Sequence, residues 1–273
     1  MRSAPTPAVG ERTTPPPERP RLHARRLRDG RHIYWWVEAV LILSFYAVYS
    51  TIRNTNEGGE LAAFNHAKQL IGWERSVGLY FEESWQDWAL NFRPLVIAMN
   101  YIYGSLHFLI TGGAIIYLFR RHSDDYPRWR NTLAVTTALA LIGFITWPLM
   151  PPRLLPDHFG YVDTLAKYPT FWSFDSGAMN RISNQFAAMP SLHFAWSSFC
   201  AFSLAPRVRT RWARWGLIGY PALTLLAIVL TGNHYWLDAA GGALIFGIGW
   251  LIGGRFTRAG RGAPTASPAP PRA

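Results

Sequence analysis

A single cysteine, Cys200, stands among the 273 residues. No internal disulfide can form, and its place within an apolar stretch makes it a packing residue. No internal repeat is apparent. No compact ligand pattern such as H-E-x-x-H occurs either, so two histidines and an aspartate discussed below are not read as a zinc site. The first apolar run follows a long polar leader that shows no small-residue cleavage site, so it is read as a retained span and not a removed signal peptide.

What the chain has in abundance is apolar and aromatic surface: 49% hydrophobic residues, with 13 Trp, 12 Tyr and 16 Phe. That exceeds what a water-soluble domain of this size needs, and it points to a membrane protein. Six segments approach the roughly 20 residues that cross a hydrocarbon core of about 30 Å: 33–52, 94–119, 132–150, 188–205, 215–232 and 237–254. The expected fold class is all-α, a polytopic bundle of about six transmembrane helices.

Lys and Arg gather on the cytoplasmic side of a membrane protein. Of the 27 basic residues, 20 fall in the leader, the 120–131 and 206–214 loops and the tail. The other seven are Arg53, Lys68, Arg75, Arg93, Arg153, Lys167 and Arg181. Both termini are therefore expected to be cytoplasmic, in a multi-pass protein of the cell membrane. The net charge of +11 is spread over short loops beside apolar spans, where an anionic leaflet attracts it, so membrane lipids and not nucleic acid are the expected partners. Residues 1–31 and 257–273 are Pro-rich and poor in apolar residues, the composition of disordered cytoplasmic ends, and 32–256 form the membrane domain. Two long outer regions remain, about 53–93 and 151–187; the first reads as one or two helices lying at the interface.

Two fragments carry the chemistry: "AAMPSLHFAWSSF" (187–199) and "TGNHYWLD" (231–238). The charge asymmetry, which makes no use of them, puts both at the outer face. His234 and Asp238 are four residues apart, so on a helix they lie one turn apart on one side. A carboxylate on one imidazole nitrogen selects the tautomer and raises the basicity of the other, which makes that nitrogen a usable nucleophile. In "MPSLH", Pro190 suits a first helical turn. The backbone donors of that turn, with the Ser191 hydroxyl, form an anion site, and His193 beside it can protonate a leaving oxygen.

"PSLH" followed about forty residues later by H-x-x-x-D resembles the type 2 phosphatidic acid phosphatase superfamily. "AMPSLH" with "GNHYWLD" is closest to its branch related to inositol phosphorylceramide synthases. The resemblance covers about residues 94–254. It implies a six-helix membrane bundle with no metal and no cofactor, an extracytoplasmic site, His234 as nucleophile, Asp238 as its orienting carboxylate and His193 as acid–base partner. The chain departs from the family pattern twice: where a Lys precedes Arg-Pro by seven residues (here Arg93 and Pro94) it has Gln86, and where an Arg precedes the nucleophilic His by six it has Ile228.

Another cation must then hold the phosphate. Arg153 in "MPPRLLP" is the first choice, because a guanidinium fork matches phosphate oxygens; Arg181 and Lys167 are alternatives on the same side. Glu38 and His107 are ionisable residues within expected spans, hence functional suspects or interhelical contacts. Trp35, Trp36 and Trp147 read as interfacial belt residues. The expected activity is hydrolysis or transfer of a lipid-linked phosphoryl group through a phosphohistidine. Transfer to an inositol- or other polyol-type acceptor, and a non-catalytic lipid-binding protein of the same fold, are the alternatives.

Overall fold

A computed structural model describes residues 24–55, 59–170 and 185–259; Arg181 and most of the leader and tail lie outside these. The described residues are mostly helical. Strands β1 (Ala24–Arg26) and β2 (His32–Tyr34) pair antiparallel ahead of α1 (Trp35–Thr55). Residues 24–31, assigned by composition to a disordered leader, are thus half of a hairpin. Leu27 is buried, Gly30 turns the chain at φ +84°, and Arg28 N donates to Asp124 Oδ1 at 2.7 Å, which pins the turn to the 122–125 loop.

The outer segment that follows forms two helices, α2 (Glu60–Ser76) and α3 (Glu82–Leu90). Next comes one helical rod: α4 (Arg93–Tyr101), a π-turn at Ile102–Leu106, and α5 (His107–Arg121). After α6 (Tyr126–Thr146) the chain runs through 3-10 turns at Pro152–Leu154 and Asp157–Phe159 to the short α7 (Thr164–Lys167). The last three helices are α8 (Leu192–Leu204), α9 (Arg211–Leu230) and α10 (Trp236–Ala259).

Among the described residues, four helical stretches are long and apolar enough to cross a membrane: Trp35–Ile52, Arg93–Arg121, Arg211–Leu230 and Trp236–Arg255. Large apolar side chains on them face outward, Leu43, Leu109, Leu244 and Leu251 among them, a surface that suits lipid and not water. Two of the six expected spans are not among these four. α6 opens on the polar run "YPRWRNT", and its apolar stretch runs on past the end of the helix, where Leu149 N bonds Phe186 O at 2.8 Å. α8 has only 13 residues, a rise of about 20 Å against a core of about 30 Å. It ends where Pro206, lacking an N–H, tightens the chain into a 3-10 turn.

α8 is the central helix, packed by α5, α6, α9 and α10. Ala195, Phe199 and Cys200 are buried with Tyr126, Trp129, Phe144 and Phe246 of the surrounding helices; Cys200 is a packing residue, as its context implied. The closest helix pair is α6 with α10. It forms because Gly249 and Gly253, one turn apart, let α10 approach the backbone of α6. A Cβ on Gly253 would stand 2.7 Å from Thr132 N, and one on Gly249 would collide with Thr136 Oγ1. Gly247, on the opposite side of the same turns, faces open space. Gly253→Ala should therefore destabilise the detergent-solubilised protein by about 1–3 kcal/mol, the usual effect of overpacking, and Gly247→Ala should leave it unchanged. Thermal melting of the two variants checks this; equal melting would show that α6 and α10 do not meet through these glycines.

Candidate active site

α10 starts immediately after the sharp turn Thr231–Tyr235, which only a glycine can make at residue 232 (φ +66°). A side chain there would also strike Gln86 Nε2 at 2.6 Å. The turn leaves His234 just outside the helix and Asp238 in its first turn. The spacing seen in the sequence is thereby realised: His234 Nδ1 lies 3.1 Å from Asp238 Oδ2. The same oxygen accepts the Tyr235 N–H at 3.1 Å, and both side chains are buried.

α8 begins at Ser191, whose hydroxyl accepts the Phe194 N–H at 3.4 Å. Pro190, expected within the first helical turn, lies one residue before this cap. There it packs against Gly143 and Gly241, which have no side chain to exclude it. Ser191 N donates to the Asp238 carbonyl at 2.9 Å, and a Cβ on Gly242 would collide with the Ser191 carbonyl. The starts of α8 and α10 are thus bound to each other. As a result His193 Nδ1 faces His234 Nε2 at 3.4 Å. The three residues form a line, Asp238 to His234 to His193, with His193 the half-exposed end.

Two residues of the π-turn region complete the wall. The Tyr103 ring stacks on His193 at 4.3 Å between centroids, 23° from parallel, and His107 meets the same imidazole at 4.2 Å. A π-turn adds a residue to a helical turn and recurs at functional sites; here Tyr103 and His107 both reach His193. His107 is buried. Glu38, the other ionisable residue within an expected span, is far away. It takes Arg130 Nη1 at 2.7 and 2.8 Å and Tyr126 Oη at 3.1 Å. Tyr126 packs on Phe119, twelve residues or about 18 Å along α5 from His107. Glu38 is an interhelical contact, and His107 belongs to the site.

The expected phosphate cations divide in the same way. Arg153 is brought to the turn beside His234: its N–H donates to Gly232 O at 2.8 Å, and its buried guanidinium pairs with Asp163 at 2.7 Å. Asp163 in turn caps α7 through the N–H groups of Leu165 and Ala166. Lys167 ends α7 and lies over the Tyr168 ring at 5.7 Å. Among the described residues no group of three His, Cys, Asp or Glu is placed to hold a metal ion.

A family model described as the PAP2 superfamily matches residues 68–252. The chain belongs to the PAP2 superfamily. Its chemistry is accordingly of the phosphatase and phosphotransferase type. Searches of curated proteins and of solved structures find no match. Against the superfamily pattern, the two substituted positions have structural duties. Gln86 holds the Val162 peptide from both sides, accepting its N–H at 2.8 Å and donating to its carbonyl at 3.0 Å. Ile228 is buried, and its carbonyl receives the N–H groups of Asn233 and His234.

Three residues near this cluster escaped the sequence reading: Tyr103, which stacks on His193, and Glu74 and Glu82, which lie behind the start of α10. Tyr103 looks like any aromatic of an apolar run. Glu74 and Glu82 look like solvated acids of amphipathic helices, yet both are fully buried and receive backbone N–H groups of α10. Trp147, read as a belt residue, instead stacks on His66 at 4.0 Å beneath α2. The separation of His107 from Glu38 can be tested directly. His107→Leu should lower phosphate-ester turnover by about 10-fold or more, since misplacing a reacting group by 1 Å costs as much as 10²-fold. Glu38→Gln should leave turnover intact and reduce stability by roughly 1.5–3 kcal/mol, the scale of a charged hydrogen bond. Turnover and melting measured on both variants would refute the assignment if the two effects were exchanged.

Proposed function

We propose that this protein is an integral membrane enzyme that removes or transfers a lipid-linked phosphoryl group through a phosphohistidine on His234, at the extracytoplasmic face of the cell membrane. The observation that carries the reading is the hydrogen-bonded line Asp238–His234–His193, which supplies the three groups such a reaction needs in one order. Asp238 accepts a hydrogen bond from His234 Nδ1–H, and the lone pair is left on Nε2, the nitrogen that faces His193.

The steps follow from that tautomer. The substrate phosphate displaces His193 from its contact with His234 Nε2 and comes to rest between the rings. Nε2 attacks phosphorus, the bond to the lipid alkoxide breaks, and His193 gives the departing oxygen its proton. In the second half His193 takes a proton from water as the water oxygen attacks phosphorus, the P–N bond breaks, and inorganic phosphate leaves. An alcohol in place of water gives a new phosphate ester by the same step. The likeness of "AMPSLH" and "GNHYWLD" to the inositol phosphorylceramide synthase branch supports a polyol such as inositol as that alcohol.

Charge on the phosphate is met by the N-terminal turn of α8 behind Ser191 and by Arg153, for which phosphate oxygens compete with Asp163. The lipid substrate class is supported by depth. His107 stands fourteen residues from either end of the Arg93–Arg121 rod, about 21 Å along its axis, so the site is recessed among lipid-facing helices. The outward orientation rests on the basic loops, which gather at the other end of the bundle.

The division of labour between the histidines is open to test with short-chain phosphatidic acid and p-nitrophenyl phosphate. His234→Ala should abolish turnover of both. His193→Ala should slow the lipid by roughly the 10²–10⁴-fold of a lost general acid but recover much of its rate on nitrophenyl phosphate, whose leaving group departs unprotonated. Rescue of His234→Ala and not of His193→Ala would exchange the roles. In sealed right-side-out vesicles the impermeant nitrophenyl ester should be hydrolysed from outside; hydrolysis only in inverted vesicles would place the site in the cytoplasm.

A further inference from the structure

The start of α10 is capped locally by Asp238 and also by two distant side chains. Its N–H groups go to three carboxyls. Tyr235 N donates to Asp238 Oδ2 at 3.1 Å, Trp236 N to Glu82 Oε1 at 3.2 Å and Leu237 N to Glu74 Oε1 at 3.3 Å. Glu82 and Glu74 come from α3 and α2, 154 and 163 residues away in sequence. Both are completely buried, as is Asp238.

Three carboxylates this close in a buried place repel one another and lose their hydration, and the inexpensive escape is for one to hold a proton. The geometry shows where. Glu82 Oε2 also accepts the Phe81 N–H at 3.0 Å, so both its oxygens are engaged by donors. Among the described residues Glu74 Oε2 is buried with no donor, and its carboxyl sits beside that of Glu82, the two accepting the adjacent N–H groups of Leu237 and Trp236. An acceptor without a donor beside a second acceptor is satisfied by one proton placed between them. Burial and the neighbouring Glu82 push the Glu74 carboxyl up to about 9, in the same sense. α2 and α3 are not among the stretches apolar enough to cross the membrane, so the pair lies in the layer that covers the site.

We infer that Glu74 and Glu82 are positioning residues that share one proton, Glu74 acting as a neutral acid and Glu82 as a carboxylate, and that together they clamp the first turn of α10 so that Asp238 stays on His234. The inference rests on the reading of His234 as the attacking group. Neither glutamate touches the reacting atoms. Their effect passes through the backbone N–H groups of Trp236 and Leu237 to Asp238, the next residue in the turn. Replacing the proton-bearing member by an amide keeps an acceptor for Leu237 N and a donor toward Glu82. Replacing the charged member removes the anion that receives Trp236 N and Phe81 N.

The test compares kcat and KM of the full-length protein on p-nitrophenyl phosphate for Glu74→Gln, Glu74→Ala and Glu82→Gln, with melting temperature measured in the same detergent. Glu74→Gln should stay within about 3-fold of the wild type in kcat. Glu74→Ala and Glu82→Gln should each lose about 10–100-fold, the scale on which groups behind a directly acting residue work, with KM little changed because the phosphate contacts are untouched. The amide variant therefore restores what alanine removes, at one position only. A Glu74→Gln loss as large as that of Glu74→Ala would overturn the neutral-acid assignment. Wild-type kcat in Glu82→Gln would overturn the clamp. Should Glu82→Gln not yield folded protein, Glu82→Asp, which keeps the charge but withdraws it by a methylene, takes its place, and an undiminished kcat there would count against the clamp equally. Equal activity of wild type and His234→Ala in the same assay would instead sink the reading of His234, whatever the glutamates do.

Discussion

Asp238 is the residue on which the rest of this site depends. Its carboxylate receives His234 Nδ1 and the Tyr235 N–H, while its carbonyl receives Ser191 N. One fully buried residue thus sets the tautomer of the imidazole before α10 and the position of the cap that starts α8. A carboxylate in a first helical turn is favoured by the helix dipole, but burial opposes its charge. Directed donors meet that cost at Oδ2 but not at Oδ1, which among the described residues has none, and the two outer helices supply further carboxyls that hold the neighbouring N–H groups.

The short central helix follows from the same constraint. For His193 to meet His234, α8 must begin where α10 begins, and Gly241 and Gly242 let Pro190 and the Ser191 carbonyl come close enough. α8 is wrapped by other helices and need not match the bilayer itself. The covering loops are then held against the Gly232 turn from two sides, by the Gln86 amide through Val162 and by the Arg153 backbone. These are the places where the chain departs from the superfamily pattern or was expected to bind phosphate, and each has acquired a role in holding the site's roof.

How much of this could be read beforehand varied with the range of the interaction. The i to i+4 relation of His234 and Asp238 is local, and it survived into the structure at 3.1 Å. The meeting of the two motifs depended only on both lying at one end of the bundle, which charge asymmetry indicated. Glu74 and Glu82 were opaque because nothing in "IGWERSVGLYFEESW" distinguishes an acid turned inward from one turned to water; their partners lie more than 150 residues on. Glu38 and His107 looked alike as ionisable residues in apolar runs, and only helix packing separated a contact with Arg130 from a contact with His193. Span counting was weakest at α8, which at 13 residues is not among the four described stretches long and apolar enough to cross a membrane.

The proposed reaction turns on covalent chemistry at one nitrogen, His234 Nε2. Rapid acid-free quenching of the wild-type protein with a radiolabelled phosphate ester, followed by peptide mass spectrometry, should find an acid-labile, base-stable phosphoryl group on the peptide bearing His234. Label on His193, on a hydroxyl or carboxyl side chain, or on no residue while turnover proceeds would contradict it.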